Sequence, residues 1–169
     1  MKKLLSIIGT ISLVGTSTTS LVACNKPQYS KDELKKEKEK HKIDTKDQTI
    51  RDNLEWMAPQ EKPFDKVDNK YYYVVSRTSK DKNWHISKFE NNIHLNDNEG
   101  KTIDSWDENV LELKNKGFGQ VNLRISGNGW TYWWKTEDNY FKSVYCWTGE
   151  EQKLPNLDIN NDGNIIVKN

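Results

Sequence analysis

The sequence predicts a small domain of the α+β class that is mainly β: an antiparallel meander with an aromatic core, one or two short helices and a charged N-terminal tether. Residues 71–76 and 84–89 are aromatic and β-branched runs, which are typical of strands. Residues 120–147 alternate apolar and polar side chains, which is the period of a half-buried strand. Helical periodicity is confined to two short segments, residues 47–57 and 105–117.

Residues 1–23 have the layout of a secretory signal peptide, with Lys2 and Lys3 followed by an apolar stretch. Gly, Ser and Thr interrupt that stretch, whereas a transmembrane anchor needs about 20 predominantly apolar residues. We therefore expect residues 1–23 to be removed from the mature chain.

The end of this leader, Leu21-Val22-Ala23-Cys24, resembles the lipobox of bacterial lipoproteins. The resemblance implies that signal peptidase recognises Leu21, Val22 and Ala23, and that Cys24 carries a diacylglyceryl group and palmitate. Two acyl chains hold a protein stably on a bilayer. The expected location is the extracytoplasmic face of the cell membrane.

The leader MKKLLSIIGTISLVGTSTTSLVACNK, together with a composition rich in Lys and Asn and poor in Arg, resembles surface lipoproteins of mollicutes, of the Spiroplasma type. That family mostly has no assigned activity. The resemblance therefore implies a surface protein and a membrane anchor, but no reaction.

Composition excludes several classes of protein. Removal of Lys2 and Lys3 from the 26 basic residues leaves 24 against 25 acidic residues, so no basic footprint for nucleic acid is present. Lipidation of Cys24 leaves Cys146 as the only other cysteine, so a disulfide framework is excluded. No motif for a cofactor is present.

The chain divides by composition into the leader, a lipidated and charged tether over 24–63, a globular β-rich domain over 64–150 and a polar tail over 151–169. Ser30 and Glu33 have the spacing of a capping box within the tether. Further on, Ile50, Leu54 and Met57 recur at helical spacing, so residues 47–57 predict a short helix that docks on the domain.

Residues 105–117 predict a helix with a capping box at its start and Gly117 at its end. A strand through Leu111 and Leu113 is the alternative, because these residues also fit a period of two.

The register of the meander follows from Asn128-Gly129, a sequence typical of two-residue hairpin turns. Such a turn places Ile125 opposite Tyr132 and Leu123 opposite Trp134. One face then carries three aliphatic residues and six aromatic ones, and we expect that face to be the core. Its members are Val121, Leu123, Ile125, Trp130, Tyr132, Trp134, Phe141, Tyr145 and Trp147.

In this register Trp133 points to the opposite face, directly across from Arg124. An exposed indole beside a guanidinium is a candidate ligand surface. The alternative is that a second layer covers this face and buries Trp133, as in a sandwich.

Other candidates for chemistry are incomplete. His85, His94 and Cys146 lack the spacing of a metal site or of a nucleophile signature, so no catalytic residue is expected. Asp158, Asn160 and Asp162 match the start of a calcium loop, but Asn169 stands where the bidentate Glu belongs. We therefore expect no metal site in the tail.

These observations predict a noncatalytic recognition or adhesion module, displayed on the membrane and directed at a host-surface protein or glycan. A structural or antigenic coat protein without a specific ligand is the alternative. An accessory subunit or enzyme would need a pocket that brings His85 or His94 next to a carboxylate.

Overall fold

A computed structural model describes residues 28–127, 129–135 and 138–168. The described residues form two α-helices and ten strands, and 3-10 turns lie at Pro59–Glu61 and Glu151–Lys153. The helices are α1 (Lys31–Lys40) and α2 (Gln48–Asn53); the strands are β1 (Leu54–Trp56), β2 (Tyr71–Ser76), β3 (His85–Glu90), β4 (Gly100–Trp106), β5 (Asn109–Asn115), β6 (Val121–Gly127), β7 (Gly129–Tyr132), β8 (Phe141–Trp147), β9 (Leu157–Ile159) and β10 (Ile165–Val167). Among the described residues, no helix has the length and apolar character needed to cross a bilayer.

The strands form two four-stranded antiparallel sheets and one small hairpin. Sheet A has the order β1-β8-β2-β3, sheet B is the meander β4-β5-β6-β7, and β9 pairs with β10. The prediction of a mainly β fold with an aromatic core is confirmed. The strand composition of the meander was wrong, because β8 pairs with β1 and β2 instead of joining β7.

The two sheets pack face to face around one apolar cluster. Alternate side chains of β2 and β8, such as Tyr72 and Val144, meet alternate side chains of β5 and β6, such as Leu111 and Ile125. Trp133 closes this cluster from the end of β7. Close packing between two sheets is the arrangement of a β-sandwich.

A second cluster covers the other face of sheet A. Tyr73, Tyr145 and Trp147 point away from sheet B and are buried by Ile50 of α2 and by side chains of β9 and β10. The segment expected to be a polar tail, residues 151–169, thus contributes two strands to this cover. Sheet A is therefore a middle layer.

The tether carries a helix that contacts the domain. Ser30 and Glu33 form the predicted capping box at the start of α1. Near the end of α1, the Lys38 ammonium lies 2.5 Å from both the Glu55 and the Glu61 carboxylates, and these contacts raise the pKa of Lys38 although burial lowers it. No residue of the helix is buried; besides these ion pairs, the flanking rings of Tyr29 and His41 contact Trp56 of β1.

The predicted helix over 105–117 was wrong. Asp107 and Glu108 have φ of 49° and 61° and form the tight turn between β4 and β5. In β5, Leu111, Leu113 and Asn115 are buried while the residues between them are not, so the period-two alternative was correct. The helix expected over 47–57 exists as α2 and ends earlier, because Leu54 begins β1.

The register of the β6–β7 hairpin differs from the prediction by one residue. Arg124 pairs with Tyr132 and Gly127 pairs with Gly129, while Asn128 lies outside the described residues. A Cβ at Gly127 would lie 2.9 Å from the carbonyl oxygen of Thr78, so a close backbone approach requires glycine here. Because the side-chain period is two, a one-residue shift moves every side chain of β7 to the opposite face.

Candidate functional site

The outward face of sheet B carries a cluster of aromatic and charged side chains. The shifted register places Trp130 and Tyr132 on this side, next to Arg124 of β6 and Glu112 of β5. We call this surface the Trp130 face; it comprises Glu112, Lys116, Arg124, Trp130, Tyr132 and Trp134.

A guanidinium stacked on an indole forms one end of the Trp130 face. The Arg124 guanidinium carbon lies 3.8 Å from the centre of the Trp130 ring, and Trp130 is still 41% exposed. Arg124 Nε donates to Glu112 Oε1 at 2.6 Å, and both side chains are only 14% exposed. This ion pair holds the guanidinium in place and leaves much of the indole accessible to a ligand.

The other end is a stack of two aromatic rings with lysines beside them. The Tyr132 and Trp134 ring centres are 5.7 Å apart with planes inclined by 21°, and the Lys116 ammonium lies 3.8 Å from the Tyr132 ring centre. Burial raises the pKa of the Tyr132 phenol, but Lys116 and Arg124 outweigh it, so that the pKa is lowered. Lys116 and Arg124 thus place positive charge beside the Tyr132 ring.

A crevice of about 90 Å³ continues the Trp130 face towards the side of the sandwich. Its lining residues include Trp134 of the Trp130 face, Pro59, and the oppositely charged Lys62 and Asp65.

Of the two residues expected to form a ligand surface, Arg124 lies on the outward face and Trp133 does not. Trp133 is 8% exposed and packs between the sheets, with its ring centre 5.8 Å from that of Phe64. Of the two alternatives left open by the sequence, burial of Trp133 is therefore correct, and the one-residue register shift places it on the face opposite to Arg124. Trp130 takes its place beside Arg124.

His85 does lie beside a carboxylate, although the arrangement is not that of a nucleophile. His85 Nε2 lies 2.9 Å from Asp104 Oδ2, and the Ser87 hydroxyl donates to the same oxygen at 2.7 Å. Ser87 is buried and bonded to Asp104 rather than to the imidazole. Burial raises the pKa of Asp104, but its hydrogen bonds to His85, Ser87 and the Ser105 amide lower the pKa by more. The pKa of Asp104 therefore lies below its ordinary value. The cluster links β3 of sheet A to β4 of sheet B.

Cys146 is a buried free thiol in the core, 3% exposed. Burial raises the pKa of Cys146 to about 11, so the thiolate needed for nucleophilic attack is scarce at neutral pH.

The calcium-like tail uses its side chains within the β9–β10 hairpin. Asp158 lies 2.6 Å from the Lys168 ammonium, and Asn160 Oδ1 accepts hydrogen bonds from the backbone amides of Asp162 and Asn164. Across the described ranges, no group of three or more His, Cys, Asp or Glu side chains is placed to hold a metal ion.

The predicted lipidation site lies outside the described residues. Cys24 and the recognition residues Leu21, Val22 and Ala23 all precede Gln28, where the description begins.

Comparison of the chain with protein-family models, with curated proteins and with solved structures found no match.

Sequence reasoning found only Arg124 of the Trp130 face: it placed Trp130, Tyr132 and Trp134 in the core and did not consider Glu112 and Lys116. The alternation within β6 identified Arg124 as outward without any knowledge of the turn. The position of Trp130 depended on the turn length: the Asn-Gly pair favours a two-residue turn, whereas Gly127 pairs with Gly129 in the structure.

Proposed function

We propose that this chain is a lipid-anchored extracytoplasmic surface lipoprotein whose domain is a noncatalytic recognition module. The Trp130 face is the binding surface, and an acidic oligosaccharide of a host or neighbouring surface is its ligand. The observation that carries the proposal is the exposed Trp130 ring, on which the Arg124 guanidinium stacks while it is paired with Glu112.

The membrane anchor is supported by the leader and by the lipobox residues before Cys24. Cys24→Ser should abolish partitioning into the detergent phase, because the acyl chains supply the membrane affinity. Unchanged partitioning of Cys24→Ser would contradict the anchor.

The ligand class follows from shape and charge. An exposed indole offers a rigid flat apolar surface on which the apolar face of a sugar ring can pack. The Glu112 carboxylate is already paired with Arg124, whereas Lys116 and Lys135 lie over the rings of Tyr132 and Trp134. The resulting excess of positive charge favours an anionic ligand over a neutral one.

The test is binding of the mature chain to a panel of acidic oligosaccharides and their neutral counterparts. Trp130→Ala should weaken binding by about tenfold or more, as expected when an aromatic residue central to an interface is removed. Trp84→Ala is the matched control, because Trp84 also carries a guanidinium, that of Arg77 at 4.4 Å, but lies outside the Trp130 face. Lys116→Gln should weaken binding to acidic ligands alone, and added salt should have the same effect.

Three outcomes would decide against this proposal. Equal binding of neutral and acidic sugars would refute the charge argument, and equal losses in Trp130→Ala and Trp84→Ala would refute the site. If the parent binds no sugar and no host surface, the alternative of a coat protein without a specific ligand is favoured.

A further inference from the structure

The loop between β5 and β6 exposes an aromatic side chain in a backbone conformation that bulky residues rarely adopt. Gly117, Phe118 and Gly119 have φ of 102°, 55° and 68°. Left-handed φ is ordinary for glycine but uncommon for a residue with a large side chain. Phe118 is 99% exposed, the highest value among the exposed large hydrophobic residues of the described chain.

Hydrogen bonds hold this loop in place. Asn115 is buried, its amide nitrogen donates to the Leu95 carbonyl at 2.8 Å, and its side-chain oxygen accepts from the Gly117 amide at 2.8 Å. The loop is closed by the bonds from the Lys116 amide to Gln120 and from the Gln120 amide to Gly117, at 3.0 and 3.1 Å. A strained residue that the surroundings hold in this way indicates a function for the exposed ring.

Other apolar side chains are exposed nearby. Val67 and Ile93 are 39% and 47% exposed, and both line a small crevice that Gly119 also borders. Exposed apolar residues that cluster, unlike isolated ones, mark contact with a partner or a membrane.

The chain leaves the described structure on the same side of the molecule. The Tyr29 amide donates to Gln60 Oε1 at 2.6 Å, and Gln60 follows Pro59, which shares the 90 Å³ crevice with Gln120. Three residues separate Cys24 from Gln28, and the four Cα–Cα steps between them span at most about 14 Å in an extended chain. A lipid group on Cys24 would therefore bring the bilayer close to Phe118.

We propose that the tip of this loop, residues 117–119, is a second membrane contact, in which Phe118 inserts into the interfacial region of the bilayer that holds the Cys24 anchor. Val67 and Ile93, which line the crevice beside Gly119, approach the same interface. This inference rests on the proposed lipid anchor. It orients the domain, because the turn between β4 and β5 lies at the far end of sheet B and points away from the membrane.

The experiment uses residues 25–169, the mature chain without Cys24, and tethers them by an N-terminal hexahistidine tag to phosphatidylcholine vesicles that contain a nickel-chelating lipid. All ten strands and both buried clusters lie within this part. An environment-sensitive dye is attached at Phe118→Cys or at the control Glu108→Cys, an exposed position with a similar φ of 61° at the opposite end of sheet B. Cys146 stays unlabelled at neutral pH, because it is buried.

On tethering, the dye at position 118 should brighten by about twofold or more and its emission should shift to shorter wavelength, as expected for transfer into the interface. The dye at position 108 should not change. Equal responses at both positions, or none at 118, would overturn the membrane contact. A dye at 118 that responds only when the protein binds cells, and not on vesicles, would point to a protein partner and would also overturn it.

The nickel tether replaces the acyl chains, so the loop is tested independently of lipidation. Failure at position 118 leaves the lipoprotein proposal untouched, whereas unchanged partitioning of Cys24→Ser contradicts the anchor itself.

Discussion

Sheet A is packed on both faces, whereas sheet B is packed on one. In β2, five consecutive residues are buried, but in β5 buried and partly exposed residues alternate. A continuous apolar run such as YYYVV therefore indicates a strand covered on two sides, and alternation indicates a strand with one free face. We therefore expect sheet A to contribute most of the stability, while the open face of sheet B is the surface that we propose for recognition.

The same substitution on the two sheets should separate these roles most clearly. Trp147 in sheet A is 2% exposed and its indole donates to the Glu150 carbonyl at 2.9 Å. Trp147→Ala should lower the free energy of unfolding by about 3–5 kcal/mol, the range for truncation of a large buried aromatic residue. Trp130→Ala should cost no more than about 1 kcal/mol, because its ring is largely at the surface.

Urea unfolding followed by circular dichroism measures both changes without relying on tryptophan emission. Similar losses in the two variants would mean that the Trp130 face is buried in solution, and the assignment of roles would be wrong.

Trp133 tests the register of sheet B itself. Its ring lies between the sheets next to Phe64, so Trp133→Ala should destabilise the fold by about 3–5 kcal/mol. Trp133→Phe should cost less, since it keeps most of the buried area. A stable Trp133→Ala variant that instead loses ligand binding would favour the two-residue turn and an outward Trp133.

The fold was more predictable from the sequence than the site was. Strands β2 and β3 follow from local residue preference, and the cap of α1 follows from Ser30 and Glu33, because both depend on neighbours in sequence. The helix expected over 105–117 failed because its apolar residues fit both periods, and only packing against β6 decides between them.

The site depends on contacts between residues distant in sequence. Gly127 approaches Thr78 across the sandwich, and Trp133 rather than Trp134 is buried between the sheets. The exposure of Phe118 also had no sequence signal beyond the flanking Gly117 and Gly119. A Gly-Phe-Gly stretch is compatible with an ordinary junction between two strands.

Alanine substitutions at two glycines compare the packing of the β9–β10 hairpin, which covers sheet A, with that of the loop between β5 and β6 of sheet B. A methyl group at Gly163, where φ is +76°, would lie 2.6 Å from Trp84 Cγ, whereas a methyl group at Gly119, where φ is +68°, would meet nothing within 4 Å. Gly119→Ala should cost about 1 kcal/mol from backbone strain alone. Gly163→Ala should cost about 2–3 kcal/mol, because overpacking adds to the strain.

Thermal unfolding of the two variants checks this difference. Equal losses of stability in the two variants would mean that Gly163 is not in close contact with Trp84, and that the β9–β10 hairpin packs less tightly on sheet A than the structure shows.

The smallest expected effect concerns the polar link between the sheets. Asp104 of β4 accepts hydrogen bonds from His85 and Ser87 of β3, and these bonds outweigh burial, so the pKa of Asp104 lies below its ordinary value of 3.8. A carboxyl whose pKa is lower in the folded state stabilises the fold above its unfolded pKa, and loses that effect as the pH falls through the folded pKa.

Asp104→Asn should therefore lower the free energy of unfolding by no more than about 1 kcal/mol at neutral pH, because the group is partly exposed and screened. The difference between parent and variant should shrink towards zero below pH 3.8. Urea unfolding over this range measures it, and a difference that persists or grows in acid would mean that the bonds to Asp104 do not depend on its charge.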